Sequence, residues 1–201
     1  PEVLEELEVE YGLDGTLWEQ YTSYLGRLLH GDLGHSYKNK VAVLTLILQR
    51  LGRTFRLILP AIVLSSLIGI FLGAVAGWRE GSRLDRVISR ASLIIYSVPG
   101  YCLGMLGLMV FCFCLGVVPS GGMSSGGLMA LPVGILTLSK SAYVILMMRS
   151  SVLDEKKADY ALVSRTKGLK NSRILFRHIF PNAALPMVTI ITMEVGFIVS
   201  G

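Results

Sequence analysis

Charge is missing from two long stretches of this sequence. Residues 57–78 hold 22 consecutive positions without a charged side chain, and residues 91–139 hold 49. Over the whole chain only 16% of residues are charged and 52% are hydrophobic, against about 25% charge in an ordinary soluble domain. A bilayer core about 30 Å thick takes about 20 apolar helical residues to cross. The first run is therefore one crossing, and the second is too long for one and contains a turn. Cysteine is also scarce. Cys102, Cys112 and Cys114 all lie in an apolar run and show no paired Cys-x-x-Cys spacing, so they read as small hydrophobes in a helix rather than metal ligands. His30, His35, His178 and the eight methionines give no metal-ligand spacing either; the methionines read as packing residues. A nucleophile–base set is absent from the apolar runs, which argues against a membrane-embedded enzyme. The chain opens at Pro1 without a basic, small-residue-terminated leader and stops at Gly201 inside an apolar stretch, so it reads as a piece of a longer protein.

What is present organises the chain into an all-α membrane protein. Residues 1–20 are acidic, and Leu4, Leu7 and Tyr11 recur at helical spacing, which predicts a short amphipathic helix ending near Gly12. Residues 1–56 form an extracytoplasmic N-terminal region with short helices, broken at Gly26, Gly31 and Gly34. The transmembrane domain is 57–201, with crossings at about 57–78, 91–117, 128–148 and 182–201. Pro60 is expected in the first turn of the first crossing, where its missing N–H is harmless. Pro99-Gly100 is expected to kink the second, and the uncharged Pro119–Gly127 stretch to turn back toward the third.

Orientation follows from basic residues. The 79–90 loop holds Arg79, Arg83, Arg86 and Arg90, and segment 149–180 holds Arg149, Lys156, Lys157, Arg165, Lys167, Lys170, Arg173 and Arg177. Together these are 12 of the 19 basic residues, and the turn at 118–127 has none. Both basic segments are thus placed in the cytoplasm, and the N-terminal region outside, although Arg50, Arg53 and Arg56 flank the first crossing on its outer side. An odd number of crossings would precede Pro1 if the true N-terminus is cytoplasmic. The net charge of +5 reports topology, not a nucleic-acid partner.

Segment 149–181 carries the functional signal. Asp154-Glu155 suits a helix N-terminus, with Ala158, Ala161 and Leu162 on one face. Gly168 suits a helix end. Asn171 or Ser172 can cap a second helix with an apolar stripe of Ile174, Leu175 and Ile179, ended by Pro181. By composition alone this is a solvated basic loop. Its pattern resembles the cytoplasmic "EAA" loop of ATP-binding-cassette importer permeases, in which a Gly is followed thirteen residues later by a Pro; Gly168 and Pro181 have that spacing. Asp159-Tyr160, Arg165 through Leu169, Arg177-His178 and Asn182 through Pro186 resemble the dipeptide/oligopeptide/nickel branch more closely. So do Trp18, Gln20-Tyr21, Tyr24-Leu25, Gly31-Asp32-Leu33-Gly34 and Ser36, together with Ser97-Val98-Pro99, Arg149-Ser150-Ser151 and Leu153. Leu162, Ser164, His178 and Phe180 depart from the general pattern and suit this branch.

The resemblance implies a helical bundle of the type I importer permease kind in a bacterial or archaeal inner membrane. It implies that the loop docks as a coupling helix on a separate ATPase, with Gly168 supplying a tight turn, Ala161 and Ser164 allowing close approach, and Asp159, Arg165, Lys167 and Pro181 completing the element. The implied partners are membrane lipid, a homologous second permease, two ATP-binding subunits and an extracytoplasmic substrate-binding protein. The implied cargo is peptide or nickel. No Gly-x-x-x-x-Gly-Lys-Ser/Thr loop occurs, so ATP and Mg belong to the partner and no cofactor is expected here.

Lys140 and Glu194 each lie about 12 residues into oppositely running crossings, hence at similar depth. A charge at mid-membrane costs roughly 2.5–3.5 kcal/mol and needs a partner or water. The two are expected to face the substrate path and pair, or to bind the carboxylate and amine ends of a peptide. A pair that only joins two helices, or a Lys140 that snorkels, is the plainer alternative. A secondary transporter or channel built on this pair would leave the Gly168–Pro181 loop unexplained.

Overall fold

In the computed structural model, residues 15–36, 38–116 and 129–200 are described, the last four by backbone alone. The acidic stretch before Gly12 and the uncharged turn at 119–127 lie outside them. The chain divides into two compact units, Pro1–Thr54 and Phe55–Gly201. Described residues form helices and no strand beyond an isolated His35–Ala42 bridge.

In the first unit, helix α1 (Leu17–Leu29) starts with a capping box. Thr16 accepts from the Glu19 N–H, and the Glu19 carboxylate accepts from the Thr16 N–H at 2.8 Å. Gly26, expected as a break, is inside this helix. The breaks that do occur are Gly31 and Gly34, both with positive φ (78° and 72°), where a Cβ would be strained. Between them Asp32 accepts the Gly34 N–H at 2.9 Å. The Gly-Asp-Leu-Gly run is thus a backbone turn.

Helix α2 spans Val43–Trp78. It contains the 57–78 run but begins well before it. Pro60 is therefore in its interior, not in a first turn. Proline removes one N–H and crowds one carbonyl, but an apolar chain without water has no better way than helix to satisfy its other backbone groups. Helix α2 ends at a tight turn where Gly81 has φ 74°. Ser82 caps the next helix by accepting the Asp85 N–H at 3.1 Å, so α3 runs Arg83–Ser97. Most of the expected 79–90 loop is thus helix.

The expected kink at Pro99 is a 96° bend between α3 and the helix beginning at Gly100. Proline forces its predecessor out of the helical region, and Val98 is extended (φ −88°, ψ 126°). Helix α4 (Gly100–Leu108) continues as a wider π-helical segment, Met109–Cys114.

Helix α5 spans Ala130–Lys157. Asp154 and Glu155, expected to open a helix, instead lie in its last turns. The break falls at Ala158, which is extended (ψ 147°). Helix α6 is Asp159–Thr166 and helix α7 Asn171–Ile174, with Lys170 at its N-cap rather than Asn171 or Ser172. A π-turn, Leu175–Ile179, leads into α8, Phe180–Ser200. Pro181, expected to end the second helix, sits inside this continuous helical path. The preceding turn is already rearranged, with the Phe180 N–H bonding the Leu175 carbonyl five residues back, so proline's missing donor is tolerated. Among the described residues three helices are long and apolar enough to cross a membrane, or four if the bent pair counts as one span.

The core of the second unit lies where α2, α5, α6, α7 and α8 meet. Ala74, Val144, Met148, Val152, Ala161, Ile174, Ile179, Ala183 and Met187 form one buried cluster. Glycines at four-residue spacing let α2 approach α5. A Cβ on Gly69 would lie 2.5 Å from Val144, one on Gly73 2.7 Å from the Ile145 carbonyl oxygen, and one on Gly77 2.8 Å from the Arg149 carbonyl oxygen. Small residues at this period allow close backbone packing, which supplies much of helix association in an apolar solvent.

Candidate functional site

Helix α6 has one face fixed to the protein and one face free. Ala161 and Ser164 are buried and face the core; the Ser164 hydroxyl donates to the Tyr160 carbonyl at 2.7 Å. Of the apolar face read from sequence, Ala161 is buried and Leu162 is not: Leu162 is 61% exposed and Val163 49%. Asp159, Arg165, Thr166 and Lys167 are exposed as well. A helix this short owes its order to its cap. Gly168 has φ 71°; its N–H bonds the Arg165 carbonyl at 3.0 Å, and the Leu169 N–H bonds the Ser164 carbonyl at 3.3 Å. These two bonds form a Schellman end, and Leu169 packs on the core cluster. Pro181 is exposed near the start of α8.

The platform beneath α6 is tied by ion pairs that sequence reading missed. Asp85 accepts from Arg149 twice, Nε to Oδ1 at 2.5 Å and Nη2 to Oδ2 at 3.0 Å. It also accepts from the Gly81 N–H at 2.9 Å and the Ser89 hydroxyl at 3.1 Å. Such a bidentate, fully satisfied carboxylate fixes the start of α3 to α5. Lys156 donates to the Gly77 carbonyl at 3.2 Å and to Glu80 at 3.0 Å, placing a cation at the C-terminal end of α2, where helix carbonyls are unpaired. The Lys156 hydrogen bond holds the Glu80 carboxyl below its ordinary value. Tyr160 donates to Glu155; burial first, then this carboxylate, pushes the phenol above its usual value. A lone Asp among Arg83, Arg86 and Arg90, and the four-residue glycine period, were the signals in the sequence that point here.

The second candidate site lies further along α5 and α8. Lys140 Nζ is 2.5 Å from Glu194 Oε2. The pair borders a cavity of about 430 Å³ against the α3–α4 break, also lined by Val98, Pro99 and Gly100 and by Tyr96 and Tyr143. The two tyrosine rings are stacked with centroids 5.7 Å apart. The structure thus brings together the two mid-helix charges, whereas the α6 residues form a separate cluster. No group of three His, Cys, Asp or Glu able to hold a metal occurs among the described residues.

Residues 69–201 match the family described as the binding-protein-dependent transport system inner membrane component. The chain is 33% identical to a putative peptide permease protein of Brucella suis over 98% of its length and 66% of the relative's. It is 33% identical to a dipeptide transport system permease protein of Lactococcus lactis over 95% of its length and 63% of the relative's. It is 32% identical to an oligopeptide transport system permease protein of Salmonella typhimurium over 94% and 63%. The chain thus spans slightly less than two thirds of these relatives. The family match includes α6, the Gly168 turn, Lys140 and Glu194, and with the membrane-length helices it makes this chain a multi-pass membrane protein belonging to the family of binding-protein-dependent transport system inner membrane components.

Proposed function

We propose that this protein is the channel-forming subunit of an ATP-driven importer of short peptides, and that α6 is the element through which a separate ATPase moves it. The observation that carries this reading is the two-sided construction of α6. One face is fixed to the core through Ala161 and Ser164, and the other offers Leu162, Val163, Arg165 and Lys167 to a partner. Exposed leucine and valine flanked by cations suit an acidic-rimmed apolar groove. A push on α6 passes to α5 and α8 through the shared cluster, because close-packed side chains transmit displacement. ATP and Mg act on the partner subunit; a second permease and an extracytoplasmic binding protein complete the assembly. The names of the relatives favour peptide over nickel as cargo. Lys140 and Glu194 line the path, and the two basic segments face the cytoplasm.

The test is reconstitution of the full-length protein with its partner subunits in lipid vesicles. ATPase activity should rise several-fold when peptide-loaded binding protein is supplied. A cysteine at Leu162 should cross-link to the ATPase, and one at Leu59 should not. Unstimulated hydrolysis and no cross-link would reject the reading.

A further inference from the structure

The Lys140–Glu194 pair is under-bonded for groups at such a depth. Among the described residues each charge has the other as its one polar partner. An ammonium has three donors and a carboxylate two acceptor oxygens, so most of their capacity faces the cavity; Lys140's side chain is 43% exposed and Glu194's 19%. The cavity, at about 430 Å³, falls within the range of small-ligand pockets, about 300–1,000 Å³. It is open to the α3–α4 break, where irregular backbone at membrane depth is tolerated beside a cavity. The helices bearing the charges are locked together elsewhere by Val144, Met148, Val152, Ala183 and Met187.

We propose that the pair is a placeholder for the two ends of a peptide: Lys140 and Glu194 hold each other when the path is empty, and a bound peptide's carboxylate and α-ammonium replace each partner in turn. This rests on the importer reading and names what it would recognise, a short peptide with both termini free, whatever its side chains. The exchange conserves charge, since two ion pairs replace one pair and a zwitterion, and it leaves no unpaired ion in the membrane. Two extended residues span about 7 Å, so the charges must part by that order. Lys140's flexible stem supplies part of the reach, and separation of α5 from α8 beyond their locked segment supplies the rest. Occupancy would therefore change the spacing of the two helices that carry α6.

The experiment measures equilibrium binding of radiolabelled Ala-Ala, N-acetyl-Ala-Ala and Ala-Ala-amide to the full-length assembly in nanodiscs, with no binding protein present. Wild type should prefer Ala-Ala over either blocked form by about tenfold, as expected for loss of a charge-assisted hydrogen bond. Lys140→Met should lose discrimination against the amide and keep that against the acetyl form; Glu194→Gln should do the reverse. Because a single variant strands a charge, Lys140→Met/Glu194→Leu is included. It removes both charges, and should assemble and bind all three peptides alike. Equal binding of the three peptides by wild type, or variants that lower the melting temperature with discrimination intact, would overturn the proposal. ATPase stimulation by loaded binding protein in the same preparation separates the levels. If it persists while discrimination is absent, only the placeholder role falls; if it is absent, the importer reading falls too.

Discussion

Two of the ion pairs on helix Ala130–Lys157, Lys140 with Glu194 and Arg149 with Asp85, lie about 13 Å apart along its axis. Asp85's side chain is 3% exposed and has four donors; Arg149 grips it at two points. Lys140 and Glu194 meet at one point beside a cavity. The chemistry is the same, but the surroundings assign different work. A pair whose every lone pair is satisfied has nothing to offer a ligand and serves as a joint. A pair with spare capacity and room beside it can exchange partners. The joint stands at the end where α6 attaches, and the exchangeable pair where the chain breaks at Pro99. Rigidity and adaptability are thus separated along one helix.

The sharpest way to break this contrast is to remove one side of the joint. Asp85→Ala leaves the Arg149 guanidinium without its carboxylate in a half-buried site, and losing one partner of a buried pair costs about 3–5 kcal/mol. Thermal unfolding of the full-length protein in detergent should show the largest destabilisation of any variant here, well beyond Lys140→Met/Glu194→Leu. Equal loss from the two changes would erase the distinction. The next effect belongs to the glycine seam that sets α2 against the same stretch of α5. A methyl on Gly73 meets the Ile145 carbonyl oxygen at 2.7 Å, and backbone cannot step aside as a side-chain tip can. Gly73→Ala should cost about 1–3 kcal/mol as an overpacking change. Gly104→Ala, with open space around its Cβ position, is the matched control and should be near neutral.

The sequence made the helical membrane architecture legible because charge-free runs and their basic flanks are governed by the bilayer. It made the Gly168 turn legible because a positive φ narrows the choice of residue, and it offered a Lys140–Glu194 pair as one of several readings of two isolated charges at similar depth, the one the contact matches. Prolines misled. Pro60, expected in a first turn, lies in a helix interior, and Pro181, expected to end a helix, lies within a continuous helical path. Pro99 does end its helix, since Val98 turns extended and Gly100 begins a new direction. Asp154 and Glu155 also misled: acids favour an N-terminus, but Asp159 takes that place in α6, and Glu155 is engaged by Tyr160. The Asp85–Arg149 joint spans 64 positions, a separation at which one sequence carries no pairing signal.

A third variant tests whether the joint delivers motion as well as strength. Gly168→Val places a β-branched residue at φ 71°, which costs about 1–2 kcal/mol for a residue with a Cβ. The Schellman end of α6 should loosen while the Asp85–Arg149 joint stays intact. Stability should fall less than in Asp85→Ala, but ATPase stimulation by loaded binding protein should fall several-fold, with basal hydrolysis by the partner unchanged. Stimulation retained at wild-type level would mean that α6 need not be rigid.

The smallest effect is expected at the edge of the joint, and its sign can be worked out. Lys156 bonds Glu80 and holds its carboxyl below the ordinary value. A carboxyl depressed in the folded state binds fewer protons there than in the unfolded chain, so its contribution is present above the unfolded value of about 4.3 and fades as pH falls through the lower folded value. Glu80 is exposed, and exposed pairs contribute little. Glu80→Gln should therefore lower the melting temperature only slightly at neutral pH, less so in high salt, and the gap from wild type should close in acid. Asp85→Ala should keep a large gap at neutral pH in high salt, because its site excludes the ions that screen Glu80. If the two gaps shrank alike with salt, the Asp85 pair would be as accessible as its surface neighbour, and burial would not be what makes it a joint.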